Sequence, residues 1–124
     1  MRLLYIFLCI CLTFCSKRGD RIKNADKIEV FYYNRGDTLK YTNKTERAIN
    51  IFRKILNEKS EKTTCDPSGL IRFLSKDKPM LQFEFSISGG SEGCQFLIEN
   101  SKAWRLSYNA GMFLNENIAD AKKE

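Results

Sequence analysis

Glu84 and Glu99 are the residues whose type and spacing come nearest to a chemical site. They sit in two consecutive alternating segments, Met80–Ser88 and Cys94–Glu99. In the hairpin register deduced below they lie diagonally on one sheet face, roughly 7–8 Å apart. Carboxylates at such a distance serve as acid and base in an inverting hydrolase. The plainer reading is a solvated sheet face on which Arg105 pairs with Glu99. Nothing in the pattern supplies a concave wall to raise one pKa, so the plainer reading is preferred. The chain contains no histidine, which removes Ser/His and Cys/His nucleophiles and His-ligated zinc. A serine nucleophile would need a lysine base, and Ser101-Lys102 reads as a turn. No enzymatic activity, cofactor or metal is expected.

Two further sets of residues point to binding. Arg-Gly-Asp occurs at Arg18–Asp20 and again at Arg35–Asp37, a tripeptide that on a surface loop can engage integrins. Three residues carry little information, and Gly-Asp is ordinary turn chemistry. The aromatics are more informative. In Lys27–Tyr33 (KIEVFYY) strand alternation turns Ile28, Val30 and Tyr32 inward and leaves Phe31 and Tyr33 on the other face. An aromatic pair opposite the core is either covered locally or is a contact surface. Phe31 and Tyr33, with Glu84, Glu99 and Arg105 on the polar sheet face, are the candidate binding residues.

The elements that must position these residues follow from periodicity. Lys27–Tyr33 is a strand by composition, ended by Asn34-Arg35-Gly36-Asp37, and Leu39–Tyr41 adds a short extended piece. Asn43-Lys44-Thr45-Glu46 has capping-box spacing, with Asn43 as the cap. Ala48, Ile49, Phe52, Ile55 and Leu56 then recur every three or four residues, predicting an amphipathic helix over 44–59. Past Asp66-Pro67-Ser68-Gly69 the period becomes two. Gly69–Ser75, Met80–Ser88, Cys94–Glu99 and Ala103–Tyr108 read as four strands separated by turns. Pairing Phe85 with Phe96 and Ile98 with Trp104 puts both hairpins' apolar sets on one face. The helix is the natural cover for that face. The tail from Asn109 to Lys123 suggests a short C-terminal helix, a possible cover for Phe31 and Tyr33. The expected class is α+β: one amphipathic helix packed on a curled antiparallel sheet, in the order strand, helix, four-strand meander. That order resembles the cystatin-like architecture over residues 27–108, in topology only. The Gln-x-Val-x-Gly loop with which cystatins block proteases is absent.

The N-terminus is of a different kind. Residues 1–14 (MRLLYIFLCICLTF) are almost continuously apolar from Leu3 to Phe14. That is too short to span a bilayer, which needs about 20 residues, and it suits a signal-peptide core. Leu12-Thr13-Phe14-Cys15 resembles the lipobox of bacterial lipoproteins, although Phe14 stands where Gly, Ala or Ser normally precedes the cysteine. The resemblance implies cleavage before Cys15, lipid on its sulfur, and a cell-envelope location, periplasmic or surface-facing, on the outer membrane. The alternatives are an ordinary cleaved signal or an uncleaved anchor. Lys17, Arg18, Arg21 and Lys23 follow the apolar run, against the usual cytoplasmic placement of positive charge. The body is also similar to small exported lipoproteins of no known activity.

On that reading Cys9 and Cys11 leave with the signal and Cys15 takes the lipid. Cys65 and Cys94 remain and are expected to form a structural disulfide in an oxidising compartment. The domain organisation is then signal peptide 1–14, lipidated flexible tether 15–26 and one α+β domain 27–124. The net charge of +6 divides accordingly. The stretch 15–27 carries +3, and from residue 28 onward 15 basic residues face 13 acidic ones. Without a basic stripe bearing stacked aromatics, nucleic acid is not an expected partner. The expected function is binding of a protein or glycan by a membrane-anchored module. An inhibitor of an exogenous protease or lysozyme is the alternative, with Ser88–Gly93 as its projecting loop.

Overall fold

The computed structural model describes residues 18–22, 24–88 and 93–123. The signal segment, Cys15 and most of the Ser88–Gly93 loop lie outside the described residues. The elements are α1 (Arg18–Arg21), β1 (Lys27–Asn34), β2 (Asp37–Asn43), α2 (Glu46–Leu56), β3 (Gly69–Ser75), β4 (Lys78–Ser88), β5 (Cys94–Glu99), β6 (Lys102–Arg105), α3 (Tyr108–Asn117), a 3-10 turn (Ile118–Asp120) and β7 (Lys122–Lys123). All strands join one open antiparallel sheet in the order β6-β5-β4-β3-β1-β2-β7. The fold is α+β and mostly sheet.

The hairpins form where the chain accepts left-handed backbone. Arg35 and Gly36 have φ of 47° and 86° between the paired residues Asn34 and Asp37. Lys76 and Asp77, at 51° and 65°, do the same between Ser75 and Lys78. Two consecutive residues at positive φ give the turn whose twist suits a two-residue hairpin. The second Arg-Gly-Asp copy therefore serves as the tip of the β1–β2 hairpin, and the extended piece expected at Leu39–Tyr41 is the middle of a full strand.

The helix expected over 44–59 is shorter, and its cap differs. Asn43 closes β2, and its Oδ1 accepts from the Thr45 backbone N–H (2.8 Å) and the Thr45 hydroxyl (2.7 Å). Thr45 is the N-cap, its Oγ1 accepting from the Ala48 N–H. The capping-box spacing is thus realised as an Asx turn that orients the true cap. Thr45→Ala should cost about 1 kcal/mol in a urea melt, with Asn43→Ala costing a similar amount because it releases the same hydroxyl. An unchanged midpoint for Thr45→Ala would contradict this arrangement. Ala48, Ile49, Phe52, Ile55 and Leu56 are all buried, as the periodicity demands.

Helices α2 and α3 lie on one face of the sheet. Phe52 of α2 meets Phe73, Phe73 meets Phe83, and Phe83 meets Trp104, each edge to face with centroids 5.9, 6.2 and 5.8 Å apart. This file of rings runs from the helix across β3 and β4 to β6. α3 is capped by Ser107, whose Oγ accepts from the Ala110 N–H. The Tyr32 hydroxyl, buried, donates to the Leu114 carbonyl at 2.7 Å, and Phe113 meets Phe52 and Tyr41. The C-terminal helix therefore exists but packs on the core face. It does not cover Phe31 and Tyr33, because its own apolar residues are needed beside α2.

Of the stretch 15–26 expected as a tether, the described residues 18–22 and 24–26 pack onto the fold. Ile22 is fully buried in the core, and Gly19 packs against α2 so closely that a Cβ would strike the Arg53 carbonyl and the Asn57 side chain. Asp26 N–H donates to the Leu74 carbonyl at 2.9 Å.

The meander is present, but its last two hairpins are one residue out of the expected register. Phe85 pairs with Leu97 and Ser86 with Phe96, while Leu97 pairs with Trp104 and Phe96 with Arg105. Leu97 is thereby fully buried between Phe85 and Trp104 on the core face, and Cys94, Phe96 and Ile98 turn to the other side. The last strand ends at Arg105, so Tyr108 opens α3 and is 80% exposed. The cause is a second buried patch. After α2 the chain forms a strap: Glu61 pairs with Ala103 on the outer edge of β6, and Cys65 forms a disulfide with Cys94. Ser68 then donates its N–H to the Phe85 carbonyl and accepts the Ile87 N–H on its Oγ. Phe96 and Ser86, on the strapped side, are as buried as core residues.

Candidate binding surface

The sheet face opposite the helices assembles a compact charged and aromatic cluster. Ladder pairing sets Lys40, Phe31, Leu70 and Glu84 side by side across β2, β1, β3 and β4. The neighbouring row holds Thr42, Glu29, Arg72 and Gln82. Glu29 is buried yet charged-paired, with Lys40 Nζ at 2.9 Å and Arg72 at 3.6 Å from its carboxylate. Arg72 also donates through Nε to Gln82 Oε1 at 3.2 Å. The same two cations flank the Phe31 ring, Lys40 at 5.6 Å and Arg72 at 5.3 Å from its centroid. Glu29 thus draws both cations into place over the aromatic face, each attracted by the ring quadrupole.

Tyr33 stands next to Phe31 on this face and is 48% exposed. Partial burial, and then the Glu84 carboxylate, raise its phenol pKa above the usual value. The surface therefore offers a ring held between cations, a half-exposed phenol and a nearby carboxylate.

The structure brings Phe31, Tyr33 and Glu84 together and removes Glu99 from them. Glu84 pairs with Ile98, so Glu99, one residue on, points to the opposite face. Two carboxylates on opposite faces of a sheet cannot flank one scissile bond, and the diagonal deduced from the slipped register is corrected. Arg105 likewise pairs with Glu61 (3.5 Å) and stacks on Phe96 (4.6 Å to the centroid), on the other face from Glu99. Cys65 and Cys94 are joined as expected. Among the described residues no group of three or more metal-ligating side chains forms, and no helix is long and apolar enough to cross a membrane.

Periodicity alone does not single out Glu29, Lys40 and Arg72. The signal was available: Glu29 shares parity with Phe31 and Tyr33, and a carboxylate on an aromatic strand face calls for cations across the ladder. A concavity of about 1030 Å³ lies between α2 and α3, lined among others by Ile51, Ile55, Tyr108, Met112 and Phe113. Its charges are mixed, with Arg47 and Lys54 against Glu46 and Glu116.

Comparison with known protein families, with curated proteins and with solved structures finds no match to this chain.

Proposed function

We propose that this protein is a small exported lipoprotein, anchored through Cys15 in the cell envelope, whose α+β domain binds a protein or glycan partner. The observation that carries the binding reading is the Phe31 ring, held between Lys40 and Arg72 beside half-exposed Tyr33. Buried ion pairs orient side chains at the cost of desolvation, and here that orientation presents a flat aromatic and cationic surface to solvent. Aromatic and Arg side chains of this kind anchor interfaces. The disulfide and the apolar leader support export. The expected cystatin-like order of strand, helix and four-strand meander is not the order found, since β1 and β2 both precede α2, and it supplies neither a scaffold nor an activity. The hydrolase alternative has lost the paired carboxylates on which it rested, and the inhibitor alternative rests on a loop outside the described residues.

Phe31→Ala combined with Tyr33→Ala should leave folding intact, since Tyr33 is exposed and Phe31 lies off the core. It should weaken partner recovery by about tenfold or more, as loss of two interface anchors does. The measurement is crosslinked recovery from detergent-solubilised envelope, with wild type and variant side by side. Recovery of the same partners in the same amount by both would sink the assignment of this face. Cys15→Ser should release the protein from the membrane fraction and remove the acyl mass. A protein of unchanged mass and location would rule out the lipid anchor.

A further inference from the structure

We infer that the end of the sheet from which the N-terminal segment leaves is a docking surface for an anionic lipid bilayer. This deepens the lipid-anchor reading and rests on it for the position of the membrane, although the surface itself stands on its own observations.

The first observation is the shortness of the connection. Gly19 is wedged against Arg53 and Asn57, and Ile22 is fully buried. The described residues of α1 and Ile22 are therefore part of the fold. Cys15 precedes α1 by three residues, a covalent reach of at most about 11 Å. A lipid on Cys15 would hold this end of the domain against headgroups, with no room for a long spacer.

The second observation is the charge on that end. Four connections meet there: the approach to β1, the β2–α2 junction, the β3–β4 turn and the β5–β6 turn. They present Arg21, Lys44, Lys76, Lys78 and Lys102, all exposed. Asp77 is taken by Lys27 at 2.7 Å, and Asp26 accepts the Lys76 backbone N–H at 3.1 Å. Glu99 lies across the ladder from Lys102, and Glu46 beside Arg47 opens α2. Cations remain in excess. The opposite end carries a smaller excess among the described residues, with Arg35, Arg105 and Lys123 against Asp37 and Asp66, Lys123 being taken by Asp37 at 3.3 Å. With strands about 4.8 Å apart, the cationic end spans roughly 24 Å from β6 to β2. That is a broad, shallow surface suited to many headgroups. Each cation near an anionic leaflet adds to attraction within a Debye length. Lys17, Arg18 and Lys23 in the sequence carry charge of the same sign. The basic residues that sit awkwardly after an export signal thus acquire a role on the lipid surface.

The test uses the full chain and vesicles of phosphatidylcholine, with and without about 30% phosphatidylglycerol, so that the apolar leader contributes equally to both. Wild type should bind the anionic vesicles about tenfold more tightly at low salt, with the preference fading toward about 0.5 M salt. Lys76→Glu with Lys78→Glu should abolish the preference. Arg35→Glu with Lys122→Glu, the same charge change elsewhere, should keep most of it. Circular dichroism melts on both variants check folding. Equal binding to both vesicle types, or equal loss in both double variants, would overturn the inference. So would tighter binding of a DNA duplex with the same variant dependence, which would make the surface a nucleic-acid face. Mass spectrometry separates the two readings. An acylated protein without lipid-charge preference keeps the anchor and loses the docking surface. An unacylated protein with that preference does the reverse.

Discussion

Replacing Cys65 and Cys94 together by serine is expected to lower stability by about 3.6 kcal/mol, the loop-closure value for a separation of 29 residues. In a domain of this size that corresponds to a melting temperature lower by roughly 15–20 °C. The effect has a location as well as a size. The disulfide fastens the strap across the side of the sheet where Phe96 and Ser86 are buried. Among the described residues the remaining ties include the Glu61–Ala103 bridge, the Arg105–Glu61 pair and the bonds of Ser68. The Arg105–Glu61 pair is exposed and adds little. Without the disulfide, the strap's amide hydrogens should exchange much faster than those of β3 and β4. Trp104, on the core face with Phe83 and Leu97, should keep its near-ultraviolet signal at low temperature. A drop below about 1 kcal/mol, or uniform exchange throughout the sheet, would show that the strap is held without the bond.

The strap also explains where reading from periodicity succeeded and where it slipped. α2 was legible because its buried set recurs at helical spacing and only one face is apolar. β1 was legible because Ile28, Val30 and Tyr32 alternate with residues that stay outside the core. β5 is apolar on both faces: Cys94, Phe96 and Ile98 on one, Leu97 alone on the other. Counting apolar residues assigns the majority to the core, and the majority went to the strap. A two-faced strand has no single preferred register from pattern alone. The cysteine pairing held the missing information, since a strap bonded to Cys94 must lie on the face that Cys94 shares with Phe96.

The candidate surface was half legible for a related reason. Phe31 and Tyr33 could be placed outside the core from alternation within one strand. Lys40 and Arg72 come from the two flanking strands, and their convergence on Phe31 and Glu29 depends on strand order. β3 is distant from β1 in sequence yet adjacent to it in the sheet. Local pattern cannot supply that adjacency. The same dependence undid Glu84 and Glu99, whose apparent proximity came entirely from an inferred register. The N-terminal stretch misled through composition: polar residues around Ile22 hid a single apolar side chain, and small Gly19 is what lets α1 approach α2.

Gly69→Ala is expected to be the most damaging single methyl, at about 3 kcal/mol, the upper range for overpacking a close-packed site. Gly69 opens β3, the central strand, and pairs with Tyr32 on β1 and Phe85 on β4. Those two rings meet edge to face over it, with centroids 5.6 Å apart. A Cβ at this position would strike the Phe31 carbonyl oxygen and come within 2.5 Å of Phe85 Cζ. The carbonyl is backbone in a paired ladder, so relief requires β1 and β3 to separate. The displacement would also reach α3, because the Tyr32 hydroxyl holds the Leu114 carbonyl. Trimming the ring by Phe85→Leu removes one of the two clashes. In a double-mutant cycle the pair should therefore cost less than the sum of its members by about 1 kcal/mol, with the backbone clash keeping the rest. Additive costs would place the strain wholly on the ladder. A cost for Gly69→Ala under about 1 kcal/mol would mean that the sheet opens there more easily than its packing implies.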